Sequence, residues 1–185
     1  AMRQARYGVI AWSAADLEFA HAELAVQAIM RTVFELNRTT RFAALPLGGN
    51  EGDLSADAVL LWQIGYPFRT SFAAGRPEYD PYRFDARRML AAGEADALLW
   101  VSSFGDHLPP PEHTAPTILL SVPWAAAAPQ CEVFLPVGTP GVEFAGHLVR
   151  SDKVLTMRVD AVRASAAPPS PAVVLRAIRD ALPPA

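Results

Sequence analysis

ADALLWVS, residues 95–102, is an apolar run broken only by Asp96 and closed by Ser102, and it follows directly on Gly93-Glu94. A strand with one wet face alternates apolar and polar residues, whereas a strand covered on both faces does not. The run therefore predicts a strand of a parallel sheet with both faces buried. Upstream, residues 84–92 read as a short helix stopped by Gly93, a residue suited to the left-handed turn that ends a helix. Downstream, residues 117–122 and 132–137 are two more short apolar runs flanked by proline.

The same rhythm holds toward the start of the chain. YGVIAW (residues 7–12) suits a buried strand, and Ser13 and Asp16 follow it with capping-box spacing, which predicts a helix beginning near Ala14. Phe19, Ala22, Val26, Ile29, Val33 and Leu36 recur at steps of three and four, so they form one stripe of that helix. Residues 41–47 read as a second strand. Gly48-Gly49-Asn50 then breaks the chain before residues 53–64 resume a helical pattern. Five strands with intervening helices imply right-handed crossovers. The expected fold is α/β and Rossmann-like: a mostly parallel sheet of about five strands with helices on both faces. Residues 154–162 add a hairpin or edge strand, residues 164–169 an Ala/Pro connector, and Ser170-Pro171 the start of a last helix. No repeat is visible and the connector is too short to separate domains, so residues 2–185 read as one domain; Ala1 ahead of Met2 reads as a residue left by tag removal.

Composition narrows the function classes. A chain of 185 residues, 51% hydrophobic and 19% charged, is long enough to bury roughly 70% of its unfolded surface without cross-links. Its 16 basic residues against 19 acidic ones, without a basic run, give no electrostatic footprint for nucleic acid. No apolar run approaches the roughly 20 residues of a membrane helix and no signal peptide is evident, so neither a membrane nor export is expected. A single cysteine, Cys131, precludes an internal disulfide or a multi-cysteine metal site and fits the reducing cytoplasm.

Ordinary catalytic patterns are missing. The first strand-to-helix turn, Trp12-Ser13-Ala14-Ala15, has none of the glycines that let a backbone approach a dinucleotide. The segment Gly48-Gly49-Asn50-Glu51-Gly52-Asp53 could present amides to an anion, but it lacks the Lys and Ser/Thr of a phosphate-binding loop. There is no Gly-x-Ser-x-Gly elbow, and Cys131 reads as a buried, inert thiol. Asp106-His107 with Glu112-His113 matches no zinc spacing and reads as a solvated loop. His21 falls on the long helix and His147 in a loop, neither beside a tuning carboxylate, and Trp62, Trp100 and Trp124 read as core or interface aromatics. That leaves residues 65–82, GYPFRTSFAAGRPEYDPY, with three prolines, two glycines, five aromatics and no period. A loop of this length is usually functional or covered by a partner.

Residues Leu61-Trp62-Gln63-Ile64-Gly65-Tyr66-Pro67-Phe68, with Gly75-x-Pro77-x-Tyr79-x-Pro81 after them, resemble the B subunit of formylmethanofuran dehydrogenase, one of the molybdopterin oxidoreductases. Leu90-x-x-Gly93-Glu94-x-Asp96-Ala97-Leu98, Val101-Ser102 and His107-x-Pro109 continue the resemblance. So do Leu135-Pro136, Gly141-Val142-Glu143-x-x-Gly146 and Arg150-x-Asp152, which extends it over roughly residues 7–180. The resemblance implies that the metal-ligating residue and the iron–sulfur cysteines belong to an N-terminal portion not included in this chain. Family members that hold the pterin dinucleotide carry Ser-Asp-Pro where this sequence has Ser102-Ser103-Phe104, and a Thr where it has His147. The acidic acceptor is thus replaced by a hydroxyl, which forfeits a charge-assisted hydrogen bond. These departures fit the bacterial relatives of the formyltransferase/hydrolase complex, as does a basic complement in which Lys153 is the one lysine.

The resemblance accordingly implies a non-redox structural subunit of such a complex in formaldehyde oxidation. Trp62, Tyr66, Phe68 and Tyr79 would contact its other subunits, and this chain would supply no catalytic residue, metal ligand or bound cofactor. The alternative is half of a genuine dehydrogenase subunit, in which Gly49, Asn50, Gly65, Tyr66, Ser102, Glu143 and Arg150 line a molybdopterin guanine dinucleotide carrying molybdenum or tungsten. A third reading is a protein-interaction module with a vestigial pocket.

Overall fold

The computed structural model describes residues 2–13, 17, 19–48, 52–105, 109–126, 128–163 and 167–183. They divide into two compact units, one of residues 1–50 with 150–155 and one of residues 51–149 with 156–185.

In the first unit, β1 (Tyr7–Ser13), α1 (Ala22–Leu36) and β2 (Arg41–Leu47) form a strand–helix–strand unit whose strands pair in parallel from Tyr7↔Arg41 to Ser13↔Leu47. The expected stripe faces inward: Ala22, Val26 and Ile29 are half-buried, and Val33 and Leu36 are buried. Phe19 does not belong to it. The expected start near Ala14 lies outside the described residues; α1 begins at Ala22, directly after His21 takes a left-handed φ of 63°, and Phe19 lies ahead of that turn and is exposed. Asn37 closes the helix with its amide side chain. Its nitrogen donates to the carbonyls of Val33 (2.8 Å) and Phe42 (2.7 Å), and its oxygen accepts from the Phe42 amide at 3.0 Å. Gly8 pairs with Phe42, and a β-carbon there would sit 2.1 Å from the ring, so the close approach of ring to backbone needs glycine.

The second unit opens with α2 (Asp53–Ile64), bounded by Gly52 and Gly65 at φ of 79° and 82°. A two-residue hairpin follows, β3 (Thr70–Ser71) against β4 (Glu78–Tyr79), and then α3 (Ala86–Ala91), capped by Asp85 accepting from the Arg88 amide at 2.9 Å. β5 (Leu98–Ser102), β6 (Thr117–Ser121) and β7 (Val133–Pro136) make a three-stranded parallel sheet with β6 at its centre. β8 (Gly146–Val149) and β9 (Thr156–Val159) form an antiparallel hairpin, and α4 (Pro171–Ala181) starts with proline directly after Ser170. Ser170 does not cap through its hydroxyl; its carbonyl accepts from the Val173 amide.

The α/β class holds, and all five expected strands pair in parallel. Their hydrogen bonds, however, divide them into a pair and a triplet instead of one sheet of five. Register puts Trp100, Leu119 and Phe134 on one face of the triplet. There they pack with Val122, Ala125 and Cys131 into the core of the unit. On the opposite face Leu120 is fully buried, but Leu99, Val101 and Val133 are 46%, 44% and 42% exposed. The expectation that residues 95–102 are buried on both faces is therefore wrong: β5 is a border strand of its sheet, and the described residues of its unit cover one of its faces. His147 is likewise not in a loop; it stands in β8 opposite Arg158.

Candidate functional site

Residues 65–82 are not an irregular loop but a clamped platform. Gly65 ends α2 in the left-handed region, and Tyr66 beyond it stacks on Tyr79 of β4, with ring centroids 6.0 Å apart and planes 11° from parallel. Asp57 reaches from α2 to accept the Phe68 amide at 2.7 Å, and the Thr70 hydroxyl donates to the Pro67 carbonyl at 2.7 Å. Arg69, itself at a left-handed φ of 67°, carries the closure. Its guanidinium donates to the Pro81 carbonyl at 2.8 Å and pairs with Asp85 at 3.0 Å, while its carbonyl accepts from the Asp80 amide.

Two further groups hold the downstream edge. Asp80 accepts from the amides of Tyr82 and Arg83 at 3.0 and 2.8 Å, and those donors, Arg83 first, keep its carboxyl below the ordinary range. Arg88 grips Glu94 with two nitrogens at 2.7 Å each and also donates to the carbonyls of Tyr82 and Arg83. That fork pushes Glu94 below, and Arg88 above, their usual titration ranges. The polar groups thus satisfy one another and the backbone. The aromatics are left outside: Trp62, Phe68, Phe72 and Tyr82 are exposed, Tyr82 by 79%, as are Tyr66 and Tyr79. Exposed aromatics held on a clamped frame lose little entropy on binding, which suits them to anchor a protein interface.

The other anticipated residues are used differently. Ser102 ends β5 in a buried position; its hydroxyl donates to the Gly105 carbonyl at 3.3 Å, and its carbonyl accepts the Ser121 hydroxyl at 2.6 Å. Glu143 folds back to accept the Thr139 amide at 2.9 Å. In the first unit, Arg150 is bound to both oxygens of Asp152 at 2.9 and 2.8 Å, which lowers the Asp152 titration. Gly49, Asn50, Asp106 and His107 lie outside the described residues. Among the described residues no group of three or more His, Cys, Asp or Glu gathers to hold a metal, and no helix is long and apolar enough to cross a membrane.

Sequence reasoning missed the role of His113. Instead of lying solvated, it is half-buried, with Nδ1 2.5 Å from the Pro111 carbonyl and Nε2 2.6 Å from the Thr117 hydroxyl. Glu132 accepts the Thr117 amide and titrates low because of it, so these side chains fasten the first residue of β6. Trp62 and Trp124 are exposed, whereas Trp100 packs against the core of Leu119, Val122 and Ala125.

No established family profile matches the chain. Over 146 residues, 78% of its length, it is 34% identical to the Fhc B subunit of the formyltransferase/hydrolase complex of Methylorubrum extorquens. Over 130 residues, 68% of its length, it is 31% identical to the B subunit of tungsten-containing formylmethanofuran dehydrogenase 2 of Methanocaldococcus jannaschii. The chain spans 39% and 30% of these two relatives. With its parallel α/β units and its aromatic hairpin, it is a homologue of the B subunits that the formyltransferase/hydrolase complex and formylmethanofuran dehydrogenase have in common. Among solved structures, it matches a chain of the Methylorubrum extorquens FhcABCD complex, crystallised with methylofuran, with a TM-score of 0.78 and 32% identity over 97% of this chain and 49% of that one.

Proposed function

We propose that this chain is part of a B-type subunit of a cytoplasmic formyltransferase/hydrolase complex, a non-redox scaffold in one-carbon metabolism. Its aromatic hairpin seats the other subunits. The observation that carries this reading is the fit of 97% of the chain onto a chain of the FhcABCD complex. The exposed frame from Trp62 to Tyr82 supplies the surface.

The residues facing a pterin dinucleotide in the alternative reading are a poor match to its two phosphates. In the second unit they comprise Gly65, Tyr66, Ser102 and Glu143, a set without a cation and with one carboxylate. The Phe104 ring lies against Gly52 at the start of α2, where a β-carbon would come within 2.9 Å of it. Asp53 already accepts the Leu54 amide there at 2.5 Å, so that helix end carries a ring and a carboxylate where an anion would need open amides. In the first unit, Arg150 is neutralised by Asp152. Each point supports a scaffold over a cofactor-bearing subunit.

The test is elemental analysis of the complex purified from its source organism, together with identification of the co-purifying subunits. The reading predicts a formyltransferase in the complex and no stoichiometric molybdenum or tungsten; stoichiometric metal would overturn it. Trp62→Ala and Tyr66→Ala should each weaken retention of the other subunits at least tenfold, with the circular dichroism of the chain unchanged.

A further inference from the structure

We infer that the aromatic hairpin is a latched flap: the carboxylate of Asp85 both bolts the root of the hairpin through Arg69 and caps α3, so that hairpin and helix loosen together. The flap runs over residues 66–81, between the left-handed Gly65 and the turn in which Asp80 accepts the Tyr82 and Arg83 amides. Its own strands close it weakly. β3 and β4 pair through two residues each, and an isolated two-stranded hairpin is marginal in water even when longer. Beyond the Tyr66–Tyr79 stack, closure falls to Arg69.

Arg69 is pulled in two directions. At a φ of 67° it is a non-glycine residue in the left-handed region, a conformation that persists only where its surroundings hold it. The bonds that hold it come from the far end of the flap and beyond. Its guanidinium reaches the Pro81 carbonyl at 2.8 Å and Asp85 at 3.0 Å, and its carbonyl accepts the Asp80 amide at 3.3 Å. Strain thus favours the open flap and these bonds the shut one, which makes the root of the hairpin a two-state element. Asp85 divides its oxygens between two tasks: Oδ2 pairs with Arg69, while Oδ1 accepts the Arg88 amide in the first turn of α3 at 2.9 Å. Without Arg69 that carboxylate is free to swing away from the helix, and a helix of six residues depends on its cap. The consequence for partners rests on the interface reading above: the shut latch presents Tyr66 and Tyr79 as one stacked pair, and the open one separates them.

Hydrogen exchange of the full-length subunit, followed by mass spectrometry of peptides covering residues 66–81 and 86–92, tests the latch. Arg69→Gln should speed exchange at least threefold in both peptides. Asp85→Ser keeps a capping hydroxyl for the Arg88 amide but offers Arg69 no carboxylate, so it should speed the hairpin alone, and adding Arg69→Gln to it should leave the helix unmoved. A helix peptide that ignores Arg69→Gln in the native background would overturn the inference. So would one that still answers to Arg69→Gln beside Asp85→Ser, because the coupling would then bypass the shared carboxylate. Retention of the other subunits is read separately and should fall at least threefold in Asp85→Ser; coupled exchange with unchanged retention would leave the latch standing and overturn the interface reading instead.

Discussion

Gly8 and Phe42 share one cramped place in the paired strands of the first unit, where a ring takes the room of a side chain. Gly8→Ala should therefore destabilise the chain by about 1–3 kcal/mol through overpacking. Adding Phe42→Ala should make the glycine change nearly neutral, a coupling that urea melts of both single variants and the double variant would measure. Glu94 offers a pH-dependent counterpart. Arg88 holds its folded titration below that of an unfolded glutamate. The stabilising contribution is consequently full above the ordinary glutamate range and is lost as pH falls through the depressed folded value. Thermal midpoints of the native chain and of Glu94→Gln should therefore differ at pH 7 and converge once the pH falls below the depressed folded value, the variant showing the shallower acid slope. None of this pairing was legible in the sequence. Arg69 and Asp85 stand 16 residues apart and meet only because the hairpin lies between them, and Arg88 and Glu94, 6 residues apart, meet only because the chain turns back at the end of α3, where the Glu94 amide donates to the Met89 carbonyl.

Element boundaries were readable where the chain carries its own punctuation. The second strand at Arg41–Leu47 and the helix at Asp53–Ile64 fall where the pattern puts them, because an apolar run and a glycine at each helix end act locally. The first helix begins directly after a left-handed turn taken by a histidine, not a glycine or proline, and histidine gives no such cue. The exposure of Leu99 and Val101 was illegible for a different reason: an apolar residue reads as buried whether its cover lies in the same chain or elsewhere. Gly65 allows a clean check on helix ending. A β-carbon there meets nothing within 4 Å, so Gly65→Ala should cost only the strain of a left-handed residue, about 1 kcal/mol, seen as a lower thermal midpoint. The same strain should loosen the start of the hairpin and weaken subunit retention.

Across the whole molecule, protection should follow the depth of each strand. The central strand Thr117–Ser121 is hydrogen-bonded on both sides and holds fully buried side chains, so its amides should exchange slowest. Those of the helices Asp53–Ile64 and Pro171–Ala181, neither of which has a buried residue, should exchange faster than those of the helices Ala22–Leu36 and Ala86–Ala91; hydrogen exchange followed by mass spectrometry would rank them. At this scale the candidate site was legible as a place, since residues 65–82 stand out by aromatic content and lack of period, but its rigidity was not. Cys131 closes the account with a practical use. It packs against the core beside Leu119 and Val122, and burial, followed by the neighbouring Glu132, pushes its thiol titration up. As the one sulfhydryl in the sequence, it is a built-in stopwatch: alkylation should be sluggish while the core is shut and quicken in step with each opening, timing the breathing of the molecule without any added label.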